Sequence, residues 1–190
     1  MKVLPNFTIE AKGNISEEFL KRSILSFHQA TSYIQNLVYG RNSNKDDLTT
    51  VLTDNRGTCS TKHAILNQLA IEHEMNDIKL MLGIFKMNAI NTPITASTLS
   101  KNHLEYIPEA HTYLKHKDNY FDFTRRNSSP NNFLNDLLFE TEIQASEINQ
   151  GKIQIHKTFL VDWLNKNTDI NYSLNDLWEI REQCIRDLSQ

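Results

Sequence analysis

One of the two cysteines in this chain stands in the stretch RGTCSTKH (residues 56–63), directly after a glycine and a threonine and just where an apolar periodic run begins. A thiol in the first turn of a helix faces N–H groups that lack intrahelical partners and the positive end of the macrodipole, and both favour thiolate over thiol. A thiolate of that kind becomes useful beside a base, and two histidines compete for the role. His63 lies four residues after Cys59 and so on the same helical face, but nothing in its surroundings supplies a carboxylate to orient it. His111 opens the stretch HTYLKHKDNYFDFT (residues 111–124), which reads as a β-hairpin with Lys117, Asp118 and Asn119 at its middle. A turn at Lys117-Asp118 sets Tyr113 opposite Asp122 and makes His111 a diagonal neighbour of Asp122 on the same face, where the carboxylate can orient the imidazole. A turn at Asp118-Asn119 moves Asp122 opposite Lys115 and carries His111 farther away. The sequence leaves both registers open. A zinc site built on Cys59, His63 and a third histidine lacks the additional thiolates or Cys-x-x-Cys spacing of structural zinc, so no metal and no cofactor is expected.

The elements that would position these residues follow from periodicity. Ser16 reads as an N-cap with Glu17 and Glu18 behind it, and Leu20, Ile24, Phe27, Ile34, Leu37 and Val38 recur at helical spacing until Gly40 supplies a stop. After a polar loop from Arg41 to Asp47, the segment from Thr58 to His73 carries Ile65, Leu66, Leu69 and Ala70 on one side, which predicts a core helix with Cys59 in its first turn. Ile78, Leu80, Leu82 and Ile84 alternate as a strand does, ahead of the hairpin. Beyond the loop at residues 125–130, Phe133 to Glu142 reads as strand or helix. Phe159, Leu160, Trp163 and Leu164 mark one further helix, and Ser173 with Asp176 three residues on opens a last one by a capping-box pattern. Its stripe of Leu174, Leu177, Trp178, Arg181, Cys184, Ile185 and Leu188 predicts core packing, with Cys184 a buried structural thiol. Arg181 is the exception on that stripe: it either pairs with a carboxylate, binds a substrate acid, or, as is more usual, snorkels to solvent.

The order of a helix opening on Gly-x-Cys (Gly57, Thr58, Cys59), a strand, then His-x-Tyr (His111, Thr112, Tyr113) and Asp-x-Thr (Asp122, Phe123, Thr124) resembles the transglutaminase-like superfamily of cysteine enzymes. The resemblance covers roughly residues 16–124. It implies an α+β fold with a papain-like core, in which the cysteine opens a helix packed on a small antiparallel sheet, followed here by a helical C-terminal extension. It also implies Cys59 as nucleophile, His111 as base and Asp122 as the orienting acid, and physical chemistry supports those roles independently: the imidazole would hold the thiolate as an ion pair and the carboxylate would fix the tautomer. The developing oxyanion would take the backbone N–H of Cys59 and a second donor from the preceding segment, with Gln35, Asn36, Arg41 and Asn42 as candidates and Tyr113 as a further substrate-binding candidate. Where many transglutaminases carry tryptophan after the cysteine, Ser60 stands here, and the chain leaves no room for the flanking β domains of animal cross-linking enzymes. Hydrolysis of an amide through a thioester acyl-enzyme is therefore favoured over protein cross-linking.

Composition bounds the rest. At 190 residues a single domain spanning 1–190 is the natural reading, with a core over 16–125 and a mostly helical extension over 126–190. A formal net charge of -3 gives no electrostatic reason to propose nucleic acid or an anionic membrane as partner. No secretory h-region or membrane-span-length apolar run occurs, so a cytoplasmic location is the default, where both cysteines would stay reduced. The expected partner is a peptide, a protein or a small amide. The competing expectation is a non-catalytic module that retains the fold and holds a peptide or partner protein in its cleft.

Overall fold

The computed structural model describes residues 4–188 of the chain. The first three residues of the N-terminal stretch read for a leader lie outside them. Seven helices and six strands follow in the order α1 (Asn14–Leu20), α2 (Phe27–Asn36), β1 (Val38–Tyr39), α3 (Thr50–Thr53), β2 (Arg56–Gly57), α4 (Cys59–Glu72), β3 (Ile78–Asn88), α5 (Ala96–Lys101), β4 (Tyr106–His116), β5 (Asn119–Phe121), β6 (Leu137–Glu142), α6 (Gln150–Lys166) and α7 (Leu174–Asp187), with short 3-10 turns between. The protein is thus of mixed α+β class. Its main sheet is antiparallel in the order β5-β4-β3-β6, and β1 and β2 form a separate parallel pair.

The helical spacing read as one run from Ser16 to Val38 is two helices. The chain turns at Ser23, whose φ is 59°, and restarts at Ser26, where Gln29 Oε1 accepts the Ser26 N–H at 3.1 Å and Ser26 Oγ accepts from Gln29 N at 3.4 Å. That capping box, S-F-H-Q, was present in the sequence and outranks the periodicity across it. Ser16 does not cap α1 either. Gly13 occupies that position, Ser16 Oγ accepts from the Lys12 and Gly13 N–H groups, and the Glu72 carboxylate takes the N–H of Ile15 and Ser16 at 2.9 and 2.7 Å.

Helix α4 lies between α1 and α2 on one side and the sheet on the other, so nearly every residue from Cys59 to Ala70 is buried, including Lys62 and His63. An apolar core forms there from Phe19, Phe27, Ile34, Ile65, Leu69 and the inward side chains Ile78, Leu80, Leu82 and Ile84 of β3. Strand β3 is central, with partners on both edges and cover on both faces. Its alternate residues Met81, Phe85 and Met87 enter a second core with Ile107, Phe133, Leu160, Leu177, Ile180 and Cys184. The segment after the loop resolves as a 3-10 turn, Leu134–Asp136, followed by β6, and the two C-terminal helices complete the second core. Each fully buried Leu or Phe side chain contributes about 1.5–3 kcal/mol relative to exposure, so both faces of the sheet are held by packing of similar kind.

The hairpin turns at Lys117-Asp118. His116 pairs with Asn119, Lys115 with Tyr120 and Leu114 with Phe121, and Lys117 takes φ 53° at the turn. Continued by one step, that register brings Asp122 to the level of Tyr113. On the other edge Gly83 pairs with His111, and a methyl group there would sit 2.9 Å from the Tyr113 ring, so the glycine is what lets Tyr113 lie flat across β3.

Candidate active site

Cys59 is the first residue of α4 and is 7% exposed. Asn42 secures the turn before it: its amide donates to Arg56 O at 2.7 Å and its carbonyl accepts from Thr61 Oγ1 at 2.7 Å, while Thr61 Oγ1 accepts the Thr58 N–H at 3.0 Å. His111, on β4, hydrogen-bonds through Nε2 to Asp122 Oδ2 at 3.0 Å, which leaves Nδ1 for the thiol it meets. The second carboxylate oxygen of Asp122 accepts the N–H of Thr124 at 2.9 Å. Phe133 stands 4.9 Å from the His111 ring, with Tyr113 and Phe85 at 6.1 and 6.2 Å, so an apolar wall shields the imidazole–carboxylate pair from water. The three residues named from the sequence therefore meet in space.

Their charges follow from the surroundings. Burial pushes the Cys59 thiol up, but the Lys152 ammonium and the His111 imidazole together outweigh it and bring the thiol down to about 5. Burial disfavours imidazolium at His111, and the Asp122 carboxylate with the adjacent thiolate overcomes that, raising it to about 10. Asp122 is pulled well below the usual carboxylate range by His111, against its own burial. Between about pH 5 and 10 the site therefore rests as thiolate, imidazolium and carboxylate.

His63, the rival base, is placed differently. A carboxylate does lie near it, since Asp122 Oδ1 is 3.7 Å from Nε2. Both ring nitrogens are nevertheless engaged with backbone: Nε2 accepts the Phe123 N–H at 2.7 Å, and Nδ1 donates to Cys59 O, also at 2.7 Å. Burial keeps the ring neutral, lowering it to about 4. Lys62 beside it donates to Leu37 O at 2.6 Å and Thr124 O at 2.8 Å. Adjacent residues on α4 thus grip the 122–124 segment and fix where Asp122 points.

Of the oxyanion and substrate candidates, Arg41 alone lines a cavity at the cysteine, and it is paired with Glu182 at 2.6 Å. Gln35 donates to Arg125 O at 3.2 Å, Asn36 to Ser32 O at 2.7 Å, and Asn42 serves the turn described above. Tyr113 is buried under the His111 ring with its hydroxyl given to Glu140 at 2.6 Å.

Two cavities meet at Cys59, and Tyr39, Glu109 and Ile185 border both. The first, ≈ 170 Å³, runs past His111, Phe85, Phe133 and Thr124. The second, ≈ 280 Å³, runs past the first turn of α4 toward Lys152, Arg41, Lys45 and Trp178. Lys152, from α6, was not singled out in the sequence; its Nζ lies 2.8 Å from Ser60 Oγ, 3.5 Å from Thr112 Oγ1 and 3.8 Å from Cys59 Sγ. Nothing local marks it, because the contact spans more than ninety residues. Arg181, instead of snorkelling, forms a bidentate pair with Glu109 at 2.7 and 2.6 Å at the border of the cavities. Among the described residues no group of three or more His, Cys, Asp or Glu side chains is placed to hold a metal ion, and no helix is long and apolar enough to cross a membrane.

No protein-family model matches this chain, and neither a curated protein nor a solved structure is detectably similar to it.

Proposed function

We propose that this protein is a cysteine-dependent hydrolase or acyltransferase that acts on an amide bond, built on a transglutaminase-like core. The observation that carries the reading is the conjunction of a thiol at the first turn of α4 with a histidine that is itself bonded to a buried aspartate at 3.0 Å. In the mechanism this arrangement supports, the Cys59 thiolate attacks the carbonyl carbon and the oxygen takes up the negative charge, facing the Cys59 N–H at the helix start. His111 imidazolium gives its proton to the departing nitrogen, the C–N bond breaks, and a thioester remains on Sγ. Water or another nucleophile then loses its proton to His111 as it attacks the thioester, which releases the acyl product and restores the thiolate–imidazolium pair. Asp122 stays ionised throughout and stabilises the imidazolium.

Lys152 adds a second cation to this scheme. The oxyanion forms two bonds away from Sγ, so an ammonium 3.8 Å from the sulfur can reach it without leaving Ser60. As charge moves from sulfur to oxygen, the same side chain compensates both states.

Cys59→Ala should abolish amide hydrolysis across a panel of peptide and small amides while the fold is retained, and activity surviving in that variant overturns the mechanism. The competing reading, a binding module, draws on the near-complete burial of Cys59. It predicts a thiol that alkylates with an ordinary apparent pKa, unchanged in His111→Ala.

A further inference from the structure

The larger cavity at Cys59 has a charge composition that the acyl-transfer chemistry alone does not require. Arg41, Lys45, Lys152 and Arg181 line it, against the carboxylates Glu109 and Glu182. The two arginines are consumed by the two acids: Arg181 binds Glu109 through two contacts and Glu182 through a third at 2.6 Å, and Arg41 binds Glu182. Lys152 faces the sulfur. Lys45 is half-buried and in no ion pair among the described residues; its burial and the neighbouring cations Arg41, Lys152 and Arg181 disfavour its charge, and the Glu182 carboxylate only partly offsets them. Once Cys59 is acylated its negative charge is gone, and four cations share one partly enclosed cavity with two carboxylates, both already ion-paired to the arginines. The remaining lining sets the hydrogen-bonding groups of Thr58, Ser60, Thr61 and Asn149 beside the apolar side chains of Ile148, Ile153, Trp178 and Ile185.

We propose that this cavity binds a carboxylate on the acyl side of the substrate, so that the amide cleaved or transferred belongs to an acidic compound: a peptide with an Asp or Glu side chain next to the reacting carbonyl, or a small amide whose acyl group ends in a carboxylate. The assignment rests on the thiol-hydrolase reading for its chemistry, whereas the pocket itself rests on the placement of the lysines. A carboxylate is the anion an amide substrate carries on its own skeleton, and ≈ 280 Å³ accommodates a short acidic chain. The smaller cavity, walled by Phe85, Met87 and Phe133 with Arg125 as its one Lys or Arg, is less cationic.

Two reagents of nearly equal size test this on the full chain. Rates of Cys59 modification by iodoacetate and iodoacetamide at pH 7, read by mass spectrometry, give a ratio that is divided by the same ratio for glutathione. The normalised ratio should favour iodoacetate by about tenfold, the worth of one charge contact in a partly desolvated pocket. It should fall several-fold in Lys45→Gln and in Arg41→Gln, and succinate but not succinamide should protect Cys59 saturably. A ratio equal to that of glutathione overturns the pocket. So does an elevated ratio indifferent to both substitutions, which assigns the preference to the imidazolium and Lys152 beside the sulfur. The two readings separate cleanly: fast modification by both reagents at the glutathione ratio removes the pocket and leaves the hydrolase, and slow modification with an elevated, Lys45-dependent ratio does the reverse.

Discussion

Cys59 and Cys184 are both buried thiols in one chain, and their surroundings drive them to opposite ends of the titration scale. Cys184 sits in α7 among Leu177, Ile180, Leu99 and Phe133, where burial, with nearby acids, pushes it up to about 12. Cys59 suffers the same desolvation, yet a helix start, a lysine and a histidine converge on it and hold it near 5. Burial is thus not what makes a cysteine inert. Low dielectric amplifies whatever charge is placed nearby, and it favours the thiol only where no cation has been supplied.

The sharpest test of that contrast is the contrast itself. At pH 7 the folded chain should be modified at Cys59 and not at Cys184, because their thiolate fractions differ by about 10⁵, a gap only partly offset by the lower intrinsic nucleophilicity of the more acidic thiol. Modification of Cys59 should rise as pH climbs through about 5 and then level off, whereas Cys184 should react only after unfolding. Peptide mapping after brief alkylation checks both. Next in size is the ion pair that ties α7, and Cys184 with it, to the sheet: Arg181→Met strands Glu109 as a buried charge and should cost about 3–5 kcal/mol in chemical denaturation, with Glu109→Gln added to it restoring much of the loss. His111→Ala should make Cys59 behave more like an ordinary thiol, lowering its alkylation rate at pH 6 by about 10²-fold and moving the midpoint of the profile upward. The smallest effect expected is at Lys152, where Met should lower that rate by about tenfold and Arg should retain most of it. A Lys152→Met profile identical to wild type would mean that imidazole and helix start suffice.

How much of this could be read beforehand depended on the range of the interaction. Helix α4, strand β3 and the capping box at Ser173 are set by local pattern, and all were legible within a residue or two. The break between α1 and α2 was legible too, in Ser26 and Gln29, but the apolar spacing running across it carried the opposite message. The hairpin register was narrowed to two turns, and the choice between them needed Lys117 in its left-handed conformation, which no neighbouring residue type dictates. The candidate site split in the same way. Cys59, His111 and Asp122 stand out because motif order places them, whereas Lys152, Tyr39 and the Arg181–Glu109 pair reach the cleft from elements far apart in sequence. His63 illustrates the limit most clearly: its position beside the thiol was evident, but its service to the Phe123 N–H depends on a strand end sixty residues away.

Helices α6 and α7, described above as the second cover of the sheet, also set a schedule. A growing polypeptide leaves the ribosome from its N-terminus, at a pace that lets early elements fold before late ones are made. Cys59, His111 and Asp122 are therefore all made before Lys152, Arg181 and Ile185 exist. A nascent chain at that stage lacks Lys152 and the α7 side chains Trp178, Arg181, Glu182 and Ile185 that line the larger cavity. The sulfur gains its second cation only when the last helices dock, so its reactivity ripens together with the enclosure around it.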